Sequence, residues 1–176
     1  MNYWLLCLIY LLVAGAALQD AVQLKISSLW PAALLLLFGV WVWANGVHTG
    51  LWQNGASFAA TLALGMLLFA IRWFGGGDAK LLAAASIWFD IQGGLFLLAW
   101  TTMSGGMLGL GLIFGRRLLP EAIHARFPIP ALRRRGPIPY GIAIAAGAAM
   151  TMAMHGAHPS GAPKLPDLHL SAFPSS

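Results

Sequence analysis

The sequence predicts an all-α fold, a polytopic membrane helix bundle of about six transmembrane helices. Two observations carry this prediction. Of the 176 residues, 59% are hydrophobic and only 9% are charged, and the mean hydropathy of +0.76 lies far above that of soluble domains. Each crossing needs about 20 residues. We therefore expect one membrane domain over residues 1–154, with a flexible Pro-rich tail at residues 155–176.

Six apolar segments can be drawn along the chain. A polar turn at residues 45–55 separates the second from the third. The fourth is the least apolar, because it contains Lys80 and Asp90. No Lys or Arg precedes the first segment, which favours a retained helix over a cleaved signal peptide. The segments are residues 2–18, 29–44, 56–71, 77–92, 95–115 and 138–154.

The basic residues are distributed unevenly among the loops. Nine of the ten lie at residues 19–28, 72–80 and 116–137, and only Lys164 lies elsewhere. In a soluble protein a net charge of +5 would suggest nucleic acid, but in a membrane protein basic loops mark the cytoplasmic side. We therefore predict both termini outside, no nucleic-acid partner, and contact between the Arg-rich third loop and anionic membrane lipids.

Two carboxylates are candidates for chemistry. Asp20 follows the first segment and Asp78 begins the fourth, and the hairpin between them returns the chain to the same face of the membrane. Two neighbouring carboxylates share a proton, so one can activate a water while the other protonates a peptide carbonyl. The pattern indicates aspartyl protease chemistry, although Asp20 taken alone also fits a solvated loop residue.

The residues before Asp78 are more specific. Gly75, Gly76 and Gly77 are expected to let the backbone turn without side-chain obstruction and to let a substrate strand approach Asp78. Helix capping would explain the aspartate but not three preceding glycines. Lys80 could tune Asp78 electrostatically or extend to the membrane surface.

These residues carry a resemblance to a known family. Gly75, Gly77 and Asp78 form a G-x-G-D motif, and GGGDAKLLAA resembles the form found in short prepilin peptidases of the tight-adherence (Flp) pilus type, within the type IV leader peptidase family. GPIPYGIAIAAG, at residues 136–147, is similar to the start of that family's last helix. The resemblance covers the whole length and topology.

The resemblance implies that Asp20 and Asp78 are catalytic in a bacterial inner-membrane peptidase. Its substrate would be the leader of a type IV (Flp-like) prepilin or pseudopilin, cut at the cytoplasmic face after a glycine. The chain departs from the family at Ile26-Ser27-Ser28, where Ile-Pro-Asn is frequent. Larger relatives add a methyltransferase region with paired cysteines. Cys7 is the one cysteine of this chain, so we expect cleavage without methylation.

Other functions remain open from the residues themselves. A proton-coupled transporter or channel subunit could use Asp20 and Asp78 as proton relays, and a noncatalytic assembly factor could keep the fold. The glycines before Asp78 favour the peptidase. The histidines show no metal-ligand spacing, so no metal and no other cofactor is expected. Asp90 is interpreted as an interfacial anchor, and the oligomeric state stays open.

Overall fold

The computed structural model describes residues 3–23, 25–47, 49–118 and 140–155. Over these ranges the chain forms six α-helices and no strand, which confirms the predicted fold class. The helices are α1 (Tyr3–Gln23), α2 (Leu29–Asn45), α3 (Leu51–Ala70), α4 (Gly76–Ser86), α5 (Ile91–Leu118) and α6 (Tyr140–His155).

Three helices are long and apolar enough to cross a membrane, over Trp4–Gln23, Leu51–Ala70 and Ile91–Gly115, and α2 and α6 are shorter apolar helices. Large apolar side chains also cover the outside of the bundle. Trp4, Trp43 and Met107 are 87%, 88% and 75% exposed. Such an apolar exterior is favourable in lipid and costly in water.

Helix α4 lies at the centre of the bundle. It contacts α2, α3, α5 and α6, and α6 packs in turn on α1 and α5. From Leu81 to Ser86 every residue of α4 is buried. Small residues allow this packing, since a Cβ added at Gly65 of α3 would lie 2.9 Å from the Cβ of Ala79. The eleven residues of α4 span roughly 16 Å, about half of a hydrocarbon core.

The predicted fourth segment, residues 77–92, is wrong at its end. Helix α4 stops at Ser86, and Gln92 belongs to α5. The buried side chain of Asn54 on α3 donates from Nδ2 to the carbonyl oxygen of Ile87 at 2.9 Å. This bond satisfies the carbonyl of the residue that directly follows α4. Asp90 then caps α5, because its Oδ1 accepts the Gly93 N–H at 2.6 Å.

Other boundaries also differ from the predicted segments. The predicted turn at residues 45–55 is shorter, because α3 already begins at Leu51. Helix α5 begins at Ile91 rather than at residue 95. Helix α1 continues past residue 18 to Gln23, which places Asp20 inside a helix instead of in a loop. The predicted loop at residues 116–137 begins too early, because Arg116 and Arg117 still belong to α5. The rest of that loop, and the predicted tail beyond His155, lie outside the described residues.

Candidate active site

The two predicted carboxylates approach each other from different helices. Asp20 lies near the carboxyl end of α1 and Asp78 lies in the first turn of α4. Asp20 is 5% exposed, and Asp78 is partly buried. Asp20 is close enough for its charge to act on Asp78. The structure therefore brings together two acidic residues that are 58 positions apart in the sequence.

Asp20 is held by the amino end of α6. The N–H of Gly141 donates to Oδ2 of Asp20 at 2.7 Å. The free N–H groups and dipole at a helix amino terminus stabilise a negative charge. The approach is close, because a Cβ added at Gly141 would lie 2.8 Å from the Cβ of Asp20 and 3.0 Å from its Oδ2. Glycine is thus the residue that lets α6 reach this carboxylate.

Asp78 has a less complete set of partners. Its Oδ1 is buried and has no hydrogen-bond partner among the described residues. Asp78 lies in α4, which is not among the helices long and apolar enough to cross a membrane. Burial, reinforced by the charge of Asp20 and opposed by a backbone hydrogen bond from Gly75, raises the pKa of Asp78 to about 7. A carboxyl group with this pKa is still partly protonated near neutral pH.

The three glycines before Asp78 act mainly by leaving space. A Cβ on Gly75 would collide with Oδ2 of Asp78, one on Gly76 would press on the Phe69 ring at 3.3 Å, and one on Gly77 would lie 3.0 Å from the Cβ of Ile26. They do not supply an unusual backbone conformation, contrary to the expectation that they would turn the chain. Gly75 has an extended φ of −75°.

The conformational turn before α4 lies instead at Arg72, whose φ is +61°. This residue ends α3 in the left-handed conformation, where glycine is usual. The backbone N–H of Arg72 donates to the Phe69 carbonyl at 2.9 Å, and that of Trp73 to the Leu68 carbonyl at 3.0 Å. This pair of bonds is a Schellman motif, and it directs the chain from α3 toward Asp78.

An aromatic contact joins the start of α6 to the segment before α4. The ring of Tyr140 meets that of Phe74 edge to face, with centroids 5.3 Å apart. A Cβ on Gly105 of α5 would lie 3.3 Å from Cε1 of Tyr140. Tyr140 and Gly141 belong to the GPIPYG sequence that the resemblance included, but the contact of Gly141 with Asp20 was not predicted.

The remaining predicted residues contribute differently. Lys80 is exposed on α4. Asp90 lies beyond the opposite end of α4 from Asp78, where it caps α5. Sequence reasoning also missed Gln19, which precedes Asp20. Its Oε1 accepts the Trp30 Nε1–H at 2.6 Å and the Ser27 N–H at 3.2 Å. A proline at position 27, as is frequent in the family that the sequence resembles, has no N–H for this second bond.

Comparison with known families identifies the family of the chain. The model of the type IV leader peptidase family matches residues 5–110, more than half of the chain. The matched segment contains both Asp20 and Asp78. Comparisons with curated proteins and with solved structures returned no match.

Proposed function

Because the chain belongs to the type IV leader peptidase family, and is thus a membrane protease of prepilin leaders, we propose that it works as an aspartyl endopeptidase with Asp20 and Asp78 as its catalytic pair. The observation that carries the proposal is that Asp20, bound at the amino end of α6, lies close enough to Asp78 in the first turn of α4 for its charge to act on that carboxyl. The family match also favours a peptidase over a proton-coupled transporter.

The partners of the two carboxyls suggest different roles. Asp20 accepts a backbone N–H at the amino end of α6, an arrangement that stabilises its ionised form. Asp78 has a raised pKa because of burial and the neighbouring charge of Asp20, and its Oδ1 has no hydrogen-bond partner among the described residues. We therefore assign Asp20 as the base and Asp78 as the acid.

The reaction then balances without another reactant. Asp20 takes a proton from water as the water oxygen bonds to the carbonyl carbon, and Asp78 gives its proton to the carbonyl oxygen. When the tetrahedral intermediate collapses, the C–N bond breaks and Asp20 passes its proton to the leaving nitrogen. Asp78 recovers its proton from the hydroxyl group. The products are the leader acid and the new amino terminus of the pilin.

The finer substrate assignment rests on the resemblance around Asp78. GGGDAKLLAA supports a Flp-like prepilin, cut after a glycine at the cytoplasmic face of the bacterial inner membrane. The single Cys7 supports cleavage without methyl transfer, since paired cysteines accompany that activity in larger relatives. We retain membrane lipids as the surroundings of the enzyme, and no metal or nucleic acid is required by this mechanism.

The test is a gel-shift assay of a Flp-like prepilin coexpressed with each variant. Asp20→Asn, Asp78→Asn and the double variant should each abolish cleavage, because residues that act as one unit lose activity non-additively. The matched control is Asp90→Asn, which should cleave normally, because asparagine also caps helices and Asp90 lies away from the pair.

Blotting of membrane fractions establishes that each variant is inserted. Wild-type cleavage by an inserted Asp20→Asn or Asp78→Asn variant would contradict the aspartyl mechanism. Mass spectrometry of the mature pilin locates the cut. The substrate assignment would be contradicted if the enzyme cleaved other type IV prepilins but not the Flp-like one. A cut that does not follow glycine would also contradict it.

A further inference from the structure

The side-chain amide of Gln19 joins three elements beside the active site. Its Oε1 accepts two hydrogen bonds, from Nε1 of Trp30 in the first turn of α2 at 2.6 Å and from the backbone N–H of Ser27 at 3.2 Å. Its Nε2 donates to Oε1 of Gln23 at 3.2 Å. One side chain therefore connects the end of α1 to the loop at residues 25–28 and to α2.

The indole of Trp30 makes a second contact with α1. Its ring lies against Gly15 of α1, where an added Cβ would lie 2.7 Å from Cζ3 of Trp30. Gly15 is one helical turn before Gln19. Trp30 thus contacts α1 through both its six-membered ring and its N–H, which limits rotation of the last turns of α1.

Rotation of this helix end decides where Asp20 points. Neighbouring residues of an α-helix are separated by about 100° around its axis. Fixing the direction of Gln19 toward α2 therefore fixes the direction of Asp20 toward Gly141 of α6, whose N–H it accepts at 2.7 Å.

The same connection reaches the other carboxylate through the loop. Ser27, which donates to Gln19, follows Ile26 directly. Ile26 lies against Gly77, where an added Cβ would be 3.0 Å from the Ile26 Cβ and 3.2 Å from its carbonyl oxygen. Gly77 immediately precedes Asp78. The Gln19 amide is thus linked to the backbone of Asp20 on one side and, through Ile26, to that of Asp78 on the other.

We propose that Gln19 is a positioning residue that sets the separation of the Asp20 and Asp78 carboxyls, through its bonds to Trp30 and to the loop at residues 25–28. Its functional consequence rests on the proposed aspartyl mechanism. Gln19 itself takes no part in proton transfer. When Gln19 loses its acceptor oxygen, the end of α1 and the loop at residues 25–28 are no longer held together, and the two carboxyls move apart.

The test compares Gln19→Met, which keeps side-chain length but lacks the acceptor oxygen, with Gln23→Met as the matched control. Gln23 is exposed, and its substitution removes only the bond to Nε2 of Gln19. With purified enzyme and a leader peptide, Gln19→Met should lower kcat at least about tenfold with little change in KM, because misplacement by about 1 Å can cost ~10²-fold in rate. Gln23→Met should match the wild type.

A second readout is independent of cleavage. The infrared band of the protonated Asp78 carboxyl, identified by its loss in Asp78→Asn, is titrated without substrate. Asp20 is the charged group that acts on Asp78, and it raises the pKa of Asp78 in addition to the effect of burial. A larger separation should therefore move the Asp78 titration to lower pH in Gln19→Met, but not in Gln23→Met.

Trp30→Phe provides a second variant, since it removes the indole donor to Gln19 together with the outer ring atoms that lie beside Gly15. Because Gln19→Met and Trp30→Phe loosen the same connection, the double variant should lose less activity than two independent effects would give. An unchanged Asp78 titration in both Gln19→Met and Trp30→Phe would overturn the positioning role. Failure of the proposed function would give a different result. Asp78→Asn would then still cleave the leader peptide, and the infrared titration would still show whether Gln19 sets the separation of the two carboxyls.

Discussion

Gly141 lets a helix amino terminus approach a carboxylate side chain. Its N–H lies 2.7 Å from Oδ2 of Asp20, and an added methyl group would lie 2.8 Å from the Asp20 Cβ. Side-chain Cβ atoms do not pack at such a distance, so either α6 or Asp20 has to move. The position therefore couples the spacing of α1 and α6 directly to the orientation of Asp20.

We expect Gly141→Ala to lower leader cleavage at least about tenfold while the protein still inserts, because the displaced carboxylate loses its N–H donor and its alignment. Gly106→Ala is the matched control, since nothing lies within 4 Å of a Cβ at Gly106. Rates are measured with purified enzyme and a leader peptide. Equal rates for the two alanine variants would show that this close approach does not matter for catalysis.

The raised pKa of Asp78 predicts the pH dependence of cleavage. Burial, with the charge of Asp20, raises this pKa to about 7, so Asp78 is protonated below that pH and ionised above it. The proposed acid must hold its proton. Activity should therefore be retained just below pH 7 and should fall by up to about tenfold per pH unit above it.

The measurement is the initial rate of leader-peptide cleavage across the pH range, with recovery of activity on return to acidic pH as the control for unfolding. A rate that keeps rising through neutral and alkaline pH would contradict the role of Asp78 as the acid.

Arg72 is an unusual residue for the end of α3. With φ at +61° it occupies a conformation in which the Cβ of an L-residue approaches the following carbonyl, at a cost of roughly 1–2 kcal/mol. The bonds of Arg72 to Phe69 and of Trp73 to Leu68 keep it there. The turn leads into Gly75–Gly77, so this costly conformation directs α4 into the bundle.

We expect Arg72→Gly to increase the free energy of unfolding by about 1 kcal/mol, because glycine adopts a positive φ without steric cost. Arg72→Ala is the control, since it removes the same charge but keeps a Cβ. Denaturant unfolding in detergent micelles provides the measurement. If glycine and alanine gave the same stability, the effect would belong to the arginine side chain rather than to the backbone.

The short central helix also explains why the fourth predicted segment was too long. Its apolar sequence continues past Ser86 through Trp88 and Phe89, so hydropathy gives no signal for a break. At the break the Ile87 carbonyl accepts a hydrogen bond from Asn54, which lies 33 residues earlier. A contact of that range cannot be seen in local hydropathy.

Orientation in the membrane is predicted from the charge distribution over the whole chain. Nine of ten basic residues lie at residues 19–28, 72–80 and 116–137, which the sequence predicts on one side of the membrane, so we predict that the loop at residues 25–28 is cytoplasmic and that Ser160 is outside. Cysteines introduced at Ser27 and Ser160 in a Cys7→Ser background test this with an impermeant thiol reagent applied to whole cells.

Only Ser160→Cys should react in intact cells, and Ser27→Cys should react after the membrane is opened. If only Ser27→Cys were labelled from outside, the orientation would be the reverse of the predicted one. It would also move the proposed cleavage away from the cytoplasmic face, because Ile26, next to Ser27, packs on Gly77 beside Asp78.

The sequence alone determined the membrane class, the helical fold and the family. These depend on composition, apolar segment length and the local G-x-G-D motif, all of which are properties of neighbouring residues. It also identified Asp20 and Asp78 as candidates for one site, because the two apolar segments between them were predicted to return the chain to the same face of the membrane. The division into a membrane domain at residues 1–154 and a tail at residues 155–176 stays a prediction.

Only the tertiary structure decided how the candidate site is held. The Gly141 N–H on Asp20 joins residues 121 positions apart, and the contact of Gly77 with Ile26 joins α4 to a loop before α2. It also showed that the glycines before Asp78 provide space, whereas Arg72 provides the turn. The physical reason is that close approach and hydrogen bonding between helices depend on their packing in three dimensions, whereas periodicity and composition report only on each helix by itself.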